Sequence, residues 1–177
     1  LRARGVDVRF AQAVVSVDAA GVRLKSGEFI PARTVVWGAG VKVNPLAAVL
    51  GAEQTRGGRL VVNDDLSLPS HPETFVIGDM AAGKDTSGAL YPQLAQAAMQ
   101  SGKHAARQIL RRIAAQPTEA FVYRDPGSMA TIGRNAAVAQ FPFGARFTGI
   151  IAWLMWVFLH LMYLVGFRNR LNVFVNW

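Results

Sequence analysis

The run from Phe147 to Phe167 contains no Asp, Glu, Lys or Arg, and only His160 in it could take up a proton near neutral pH. A stretch of this length and polarity is long enough for a transmembrane helix. Its internal pattern supports a second arrangement. Trp153, Trp156, His160 and Tyr163 recur three and four residues apart, forming a stripe of rings with polar tips. Such rings suit the head-group level of a bilayer, where one side is apolar and the other wet. Ile150, Ile151, Leu154, Val157, Phe158, Leu161, Leu164 and Val165 fill the rest, and Arg146, Arg168 and Arg170 flank the segment. A helix lying in the interface, or docked on its own protein, fits as well as a span. Eight large apolar side chains offer on the order of 12–24 kcal/mol if fully buried. Three arginines near anionic lipid add about 1 kcal/mol each, so the apolar contribution dominates.

The tail also explains the bulk numbers. Of the 177 residues, 51% are hydrophobic and 17% charged, against about 25% charged in ordinary soluble domains. The formal charge is +8, which suits nucleic acid, an anionic membrane or an anionic cofactor, and does not choose among them. The absence of cysteine excludes disulfides, thiolate metal sites and thiol nucleophiles within the chain. His71, His104 and His160 are too scattered for a zinc pattern, so no metal site is expected. The chain opens on Leu1 without the regions of a signal peptide, and a truncated start is expected.

Before the tail the pattern is α/β. Val14–Val17 and Val22–Lys25, separated by Asp18-Ala19-Ala20-Gly21, read as a hairpin, and Ser26-Gly27-Glu28 turns into Phe29-Ile30-Pro31. Thr34–Trp37 reads as an apolar strand buried on both faces, followed by Gly38-Ala39-Gly40. Arg59–Asn63 and Phe75-Val76-Ile77 read as further strands, the latter leading into Gly78-Asp79-Met80-Ala81-Ala82. In open α/β sheets, ligands sit beyond such strand ends, where glycine admits a cofactor to the backbone. A Gly-Asp end can offer a carboxylate to sugar or ribityl hydroxyls, and its next N–H groups to a phosphate. Taken singly, both glycine sites are equally compatible with tight turns.

Tyr91-Pro92 is expected to open a helix running to about Ala114. Leu94, Ala98, Gly102, Ala105, Ile109 and Ile113 would share its apolar face. Gln96 and Gln100, at i and i+4, would project together near its N-terminal end. Two amides there can hydrogen-bond a flat polar ring, and the positive helix end favours charge on a reduced one. A solvated stripe with Gln93, Lys103 and Arg107 is the alternative.

Read together, Thr34–Gly40, Gly58-Arg59-Leu60, Phe75–Ala81 and Ala95-Gln96-Ala97-Ala98-Met99-Gln100-Ser101-Gly102 stand in an order that resembles the second half of two-dinucleotide-domain flavoprotein reductases. The Ala-Gln…Gln-x-Gly helix resembles the quinone-proximal helix of type II NADH dehydrogenases. Gly127–Asn135 is similar to that family's post-helix hairpin, and Ile151–Arg170 to its membrane segment.

The resemblance implies the C-terminal part of a two-dinucleotide-binding-domain, FAD/NAD(P)-binding Rossmann-like flavoprotein with a membrane-associated helical tail. Residues 1–40 would end the NAD-binding domain, with its β-meander and last strand. Residues 41–116 would return to the FAD-binding domain with the long helix, 117–145 would form the β-hairpin region, and 146–177 the membrane-anchoring helices. The activity implied is oxidation of NADH through FAD with reduction of membrane quinone, without proton pumping.

By position, Gly78, Asp79, Met80, Ala81, Ala95 and Gln96 would hold the flavin. Gln96 and Gln100 would face the quinone, and Gly38, Ala39 and Gly40 would border the nicotinamide nucleotide. No side chain is expected to act as an acid–base catalyst, because the cofactor carries the redox chemistry. The expected partners are membrane quinone and a lipid surface contacted through residues 146–177, with a homodimer open and nucleic acid not expected. The protein would be a peripheral, monotopic membrane enzyme on the cytoplasmic face of the inner membrane, a single span being left open.

Many members of the family have Pro-x-Thr-Ala-Gln where this chain has Pro92-Gln93-Leu94-Ala95-Gln96, which leaves the quinone contact at residue 94 open. No Gly-x-Gly-x-x-Gly occurs, although the family carries two such phosphate loops; both would precede residue 1. Sulfide:quinone reductase, another FAD-dependent reductase on a similar scaffold, requires cysteines that this chain lacks. A non-catalytic membrane-binding module is the rival from a different class.

Overall fold

The computed structural model describes residues 1–176, leaving aside the side chain at position 3. Trp177, the end of the expected anchor, lies outside the described residues. Two compact units are present, Leu1–Gly40 and Val41–Trp177.

In the first unit, β1 (Val14–Asp18), β2 (Gly21–Leu24) and β3 (Phe29–Pro31) form an antiparallel meander in that order. The expected turn closes it: the Asp18 carboxylate accepts the N–H groups of Ala20 at 2.8 Å and Gly21 at 3.1 Å. Gly21 is required by close approach, since a Cβ there would lie 2.2 Å from the Ile30 carbonyl oxygen. The strand expected at Thr34–Trp37 does not form. These residues are irregular and exposed, Val36 at 89% and Trp37 at 64%. A strand buried on both faces needs paired neighbours on each edge, and no described strand pairs with this one.

The second unit begins with the short α1 (Leu46–Val49) and a core of Ala47, Leu60, Leu68, Val76 and Ala81. The expected strands at Arg59–Asn63 and Phe75–Ile77 are extended segments joined by isolated bridges. Leu60 donates its N–H to the Met80 carbonyl and accepts that of Ala82, each at 2.8 Å. Neighbouring chain lies beside single residues rather than runs, so the local β-propensity is realised without a ladder.

The helix α2 spans Ala95–Ile113. It starts later than Tyr91-Pro92 because Leu94 is extended (φ −129°, ψ 151°). Its buried face is also not the expected one. Ala97, Ser101, His104, Ala105 and Gln108 are buried, while Leu94, Ile109 and Ile113 are exposed. Tertiary partners, not apolarity, choose the inward face: polar Ser101, His104 and Gln108 are inside because each has a backbone group to bond.

After an irregular segment, β4 (Ser128–Gly133), β5 (Ala136–Gln140) and β6 (Arg146–Thr148) form a second antiparallel sheet. It extends three residues past the expected hairpin limit at 145. Along β5 the alternation is plain, with Ala137 and Ala139 buried and Val138 and Gln140 exposed. The buried alanines pack on Ala152 of α3 (Gly149–Tyr163), with Met129, Phe141 and Trp153 around them. At Leu164 the chain leaves the helix, and α4 (Phe167–Asn176) follows. Arg170 donates to the carbonyls of Leu164 (2.8 Å) and Met162 (3.0 Å), closing the open end of α3. Among the described residues no helix is long and apolar enough to cross a membrane. The 15-residue α3 is about 22 Å long.

Candidate functional site

Gly78-Asp79-Met80 forms a single 3₁₀ turn seated on the N-terminal half of α2. Gly78 has φ +61° and donates its N–H to the Ser101 hydroxyl at 3.0 Å, which in turn donates to the Ala98 carbonyl at 3.0 Å. A Cβ at position 78 would come within 3.3 Å of the Ala98 methyl, so both the conformation and the contact call for glycine. The buried Arg59 braces the next residue, its guanidinium donating to the Ala81 carbonyl and, at 2.9 Å, to that of Tyr91. Burial pulls this guanidinium below its ordinary pKa, and the Asp79 charge opposes the shift.

The backbone carbonyls of Met80, Ala81 and Asp79 are thus all occupied, by Leu60, Arg59 and Gln93 respectively. The Asp79 carboxylate differs: it makes no hydrogen bond among the described residues and stands half-exposed beside α2. Leu94 occupies the N-cap of α2 and makes no side-chain capping bond, so the first-turn N–H groups keep the unpaired donors of a bare helix start. One free carboxylate and these donors therefore occupy the same ledge.

Gln96 and Gln100 leave α2 on one side, as their spacing requires, but reach different partners. Gln96 Nε2 donates to the Tyr163 hydroxyl of α3 at 3.0 Å. Gln100 is held at both ends of its amide, donating to the Arg124 carbonyl at 2.8 Å and accepting its N–H at 3.0 Å. The same pattern recurs further along α2. Gln108 accepts the Glu119 N–H at 2.8 Å, and His104 Nε2 donates to the Glu119 carbonyl at 3.1 Å while its ring lies against Phe121. Side chains of α2 thereby fasten residues 119–124 where no strand pairing does. Burial holds the His104 imidazole below its ordinary pKa, against the bond to Glu119, which fits a neutral ring with its proton on Nε2.

The aromatic stripe of α3 also makes contacts within the chain. Trp153 packs on the Ala137–Ala139–Ala152 cluster, Tyr163 meets Gln96, and His160 stacks on Trp156 at 3.8 Å with Nδ1 2.8 Å from the Trp156 carbonyl. The stripe makes internal contacts at both ends while His160 and Tyr163 stay exposed, together with the apolar Ile150, Ile151, Leu154, Phe158 and Met162. Tyr163 is a residue that sequence reasoning did not assign to the site. Nothing local ties it to Gln96, 67 residues earlier.

Gly38 and Gly40, in the first unit, are exposed, and a Cβ on either would meet nothing within 4 Å. Their backbone is open to close approach; space demands glycine at neither position, but the φ of +109° at Gly40 favours glycine there, whereas Gly38 lies outside that region. Two grooves of the second unit, one of about 630 Å³ lined by Lys84, Tyr91 and Tyr123 among others and one of about 680 Å³ beside Asp65 and Arg112, include none of the expected site residues. The candidate site is an open ledge of turn and helix, not a cavity.

Known families match most of the chain. The family described as pyridine nucleotide-disulphide oxidoreductase matches residues 1–102, and the NDH2 C-terminal domain matches residues 126–177. The chain is similar to the type II NADH:quinone oxidoreductase Ndh of Mycobacterium tuberculosis, with 39% identity over 100% of this chain and 39% of the relative. It is also similar to the demethylphylloquinone reductase NdbB of Synechocystis, at 30% identity over 100% of this chain and 44% of that protein. Among solved structures, NDH2 of Plasmodium falciparum in complex with NADH superposes with a TM-score of 0.77, covering 93% of this chain and 49% of that one. At 14% identity that likeness speaks for the fold alone. The chain spans about two fifths of the length of the curated relatives it matches.

Proposed function

We propose that this chain, which belongs to the pyridine nucleotide-disulphide oxidoreductase family, serves a non-proton-pumping NADH:quinone oxidoreductase. It would supply that enzyme's flavin-facing turn, quinone-facing helix and membrane face. The observation that carries the proposal is the continuous line from Asp79 through the start of α2 to Gln96 and Tyr163. The names of the relatives support the same reading.

The residues present fit a flavin. Asp79 has a carboxylate with no hydrogen bond among the described residues, Gly78 brings the backbone against α2, and the start of α2 is uncapped. When bound, FAD would accept a hydride from NADH and pass the electrons on to quinone. The Asp79 carboxylate would accept hydrogen bonds from ribityl hydroxyls. The N–H groups of Ala95 and Gln96, at the positive end of α2, would favour negative charge on the adjacent ring. Met80 and Ala81 would shape the turn, since their carbonyls are already taken. Gly38-Ala39-Gly40 would let the nicotinamide nucleotide approach the backbone.

Gln96 would present its amide to a quinone carbonyl, with Tyr163 orienting that amide. Gln100 could reach a quinone only by giving up Arg124, so it acts first as a clamp. Residues 146–177 would rest on lipid at the cytoplasmic face of the inner membrane, through the exposed apolar side chains of α3.

Stopped-flow kinetics on the full-length enzyme tests the proposal by separating flavin reduction by NADH from its reoxidation by quinone. Gln96→Ala should slow the second step and spare the first. Equal loss in both steps would leave Gln96 a structural residue.

A further inference from the structure

Between β5 and β6 the chain makes a tight turn, Phe141-Pro142-Phe143-Gly144-Ala145, closed by Phe141 N–H to the Ala145 carbonyl and Gly144 N–H to the Phe141 carbonyl, both at 2.9 Å. At its tip Phe143 is 78% exposed, yet the ring is held. It stacks on Phe141 with centroids 5.3 Å apart; Phe141 meets Phe147 edge-on at 5.9 Å and packs on the cluster containing Ala152 of α3. An exposed aromatic ring is thus fixed to the same body as the exposed apolar edge of α3.

Charge indicates what covers it. No Asp or Glu follows Asp125, whereas Arg134, Arg146, Arg168 and Arg170 do. Arg146 pairs with Gln140 at the mouth of the turn and is exposed without an ion-pair partner among the described residues. A soluble partner face would ordinarily mix both signs of charge, whereas an acid-free face with a protruding ring and a neighbouring arginine complements anionic lipid.

We propose that the Pro142-Phe143-Gly144 turn is a second lipid-insertion element. It would seat Phe143 at the head-group boundary of an anionic bilayer, with Arg146 on lipid phosphate, alongside α3. The inference rests on the reading of residues 146–177 as the membrane face and extends it to a turn outside that segment.

The chain has no cysteine, so in a cysteine-free full-length background a single environment-sensitive label can be placed by Phe143→Cys, Phe158→Cys or Ile113→Cys. Vesicles of phosphatidylglycerol and phosphatidylcholine carrying a quencher in the upper acyl chain should quench labels at 143 and 158 and leave 113, on α2, unaffected. In addition, Phe143→Asp should weaken partitioning onto these vesicles about tenfold. Quenching at 158 but not 143 would overturn the proposal and leave the membrane reading of α3 intact. Quenching at neither would overturn both. Equal quenching at 143 on pure phosphatidylcholine would remove the anionic-lipid assignment. A change at 143 that follows protein concentration without vesicles would give the tip to a second copy of the chain.

Discussion

The Gln96 side chain donates a hydrogen bond to the Tyr163 hydroxyl at 3.0 Å, joining the start of α2 to the last turn of α3. This bond connects the ledge beside Asp79 to the segment with the exposed apolar edge. Tyr163→Phe removes the hydroxyl while keeping the ring. Because the pair is exposed, stability should fall by no more than about 1 kcal/mol. Quinone reduction should fall severalfold with flavin reduction unchanged. Parallel thermal unfolding and half-reaction kinetics check both, and a large loss of stability would mark the bond as mainly structural.

Asp79→Ala should weaken flavin binding by about 1.5–3 kcal/mol, the worth of a hydrogen bond to a charged group, or roughly 10- to 150-fold in Kd. Since the carboxylate makes no hydrogen bond among the described residues and only its charge acts on Arg59, the flavin-free protein should unfold at close to the denaturant concentration of its parent. Flavin retained after dialysis, measured by absorbance, reports the first effect, and urea unfolding of the apoprotein the second.

Gln100→Ala breaks both bonds to the Arg124 backbone. Expected is a stability loss of about 1–2 kcal/mol and a similar decline in both half-reactions, unlike Gln96→Ala. A selective loss of quinone reduction would return Gln100 to the quinone.

The depressed pKa of His104 has a definite sign. Its folded pKa lies below the ordinary value of 6.5, so above that pH both folded and unfolded states are neutral and stability is complete. As pH falls below about 6.5 the unfolded chain takes up the proton first, and stability declines until the folded pKa is reached. Asp65 and Glu119 favour the proton and Arg107 opposes it. Urea unfolding at a series of pH values should show this slope, and His104→Asn should flatten it.

On the tail, Leu154→Asp on the exposed edge of α3 should release the protein from vesicles, and about 1 M salt, with a Debye length near 3 Å, should not. Apolar burial is not screened by ions, whereas attraction of arginine to lipid is. Release by salt alone, read by vesicle flotation, would assign the attachment to charge.

The sequence by itself determined what is short-ranged. The Asp18 turn and the presence of a long helix ending near residue 113 depend on dihedral preferences and on neighbours within a few residues, which a sequence displays directly; the need for glycine at 78 is local in its φ of +61° and tertiary in its contact with Ala98. The tertiary structure decided whatever needed a distant partner. Thr34–Trp37 has strand propensity, but a strand also requires edges to pair with. The periodicity of α2 announced a helix, yet its inward face was set by the backbone groups of residues 119–124 that His104 and Gln108 could satisfy. The Trp, His and Tyr stripe of α3 read as lipid-facing because polar-tipped rings suit an interface. The fold set Trp153 on the alanine cluster and tied Tyr163 to Gln96, while His160 and Tyr163 stay exposed beside Leu154 and Phe158. Gln96 and Gln100 are the same residue type on the same helix face. Only the position of α3 and of Arg124 distinguishes them, because a hydrogen bond is made over about 3 Å of space, whatever the distance along the chain.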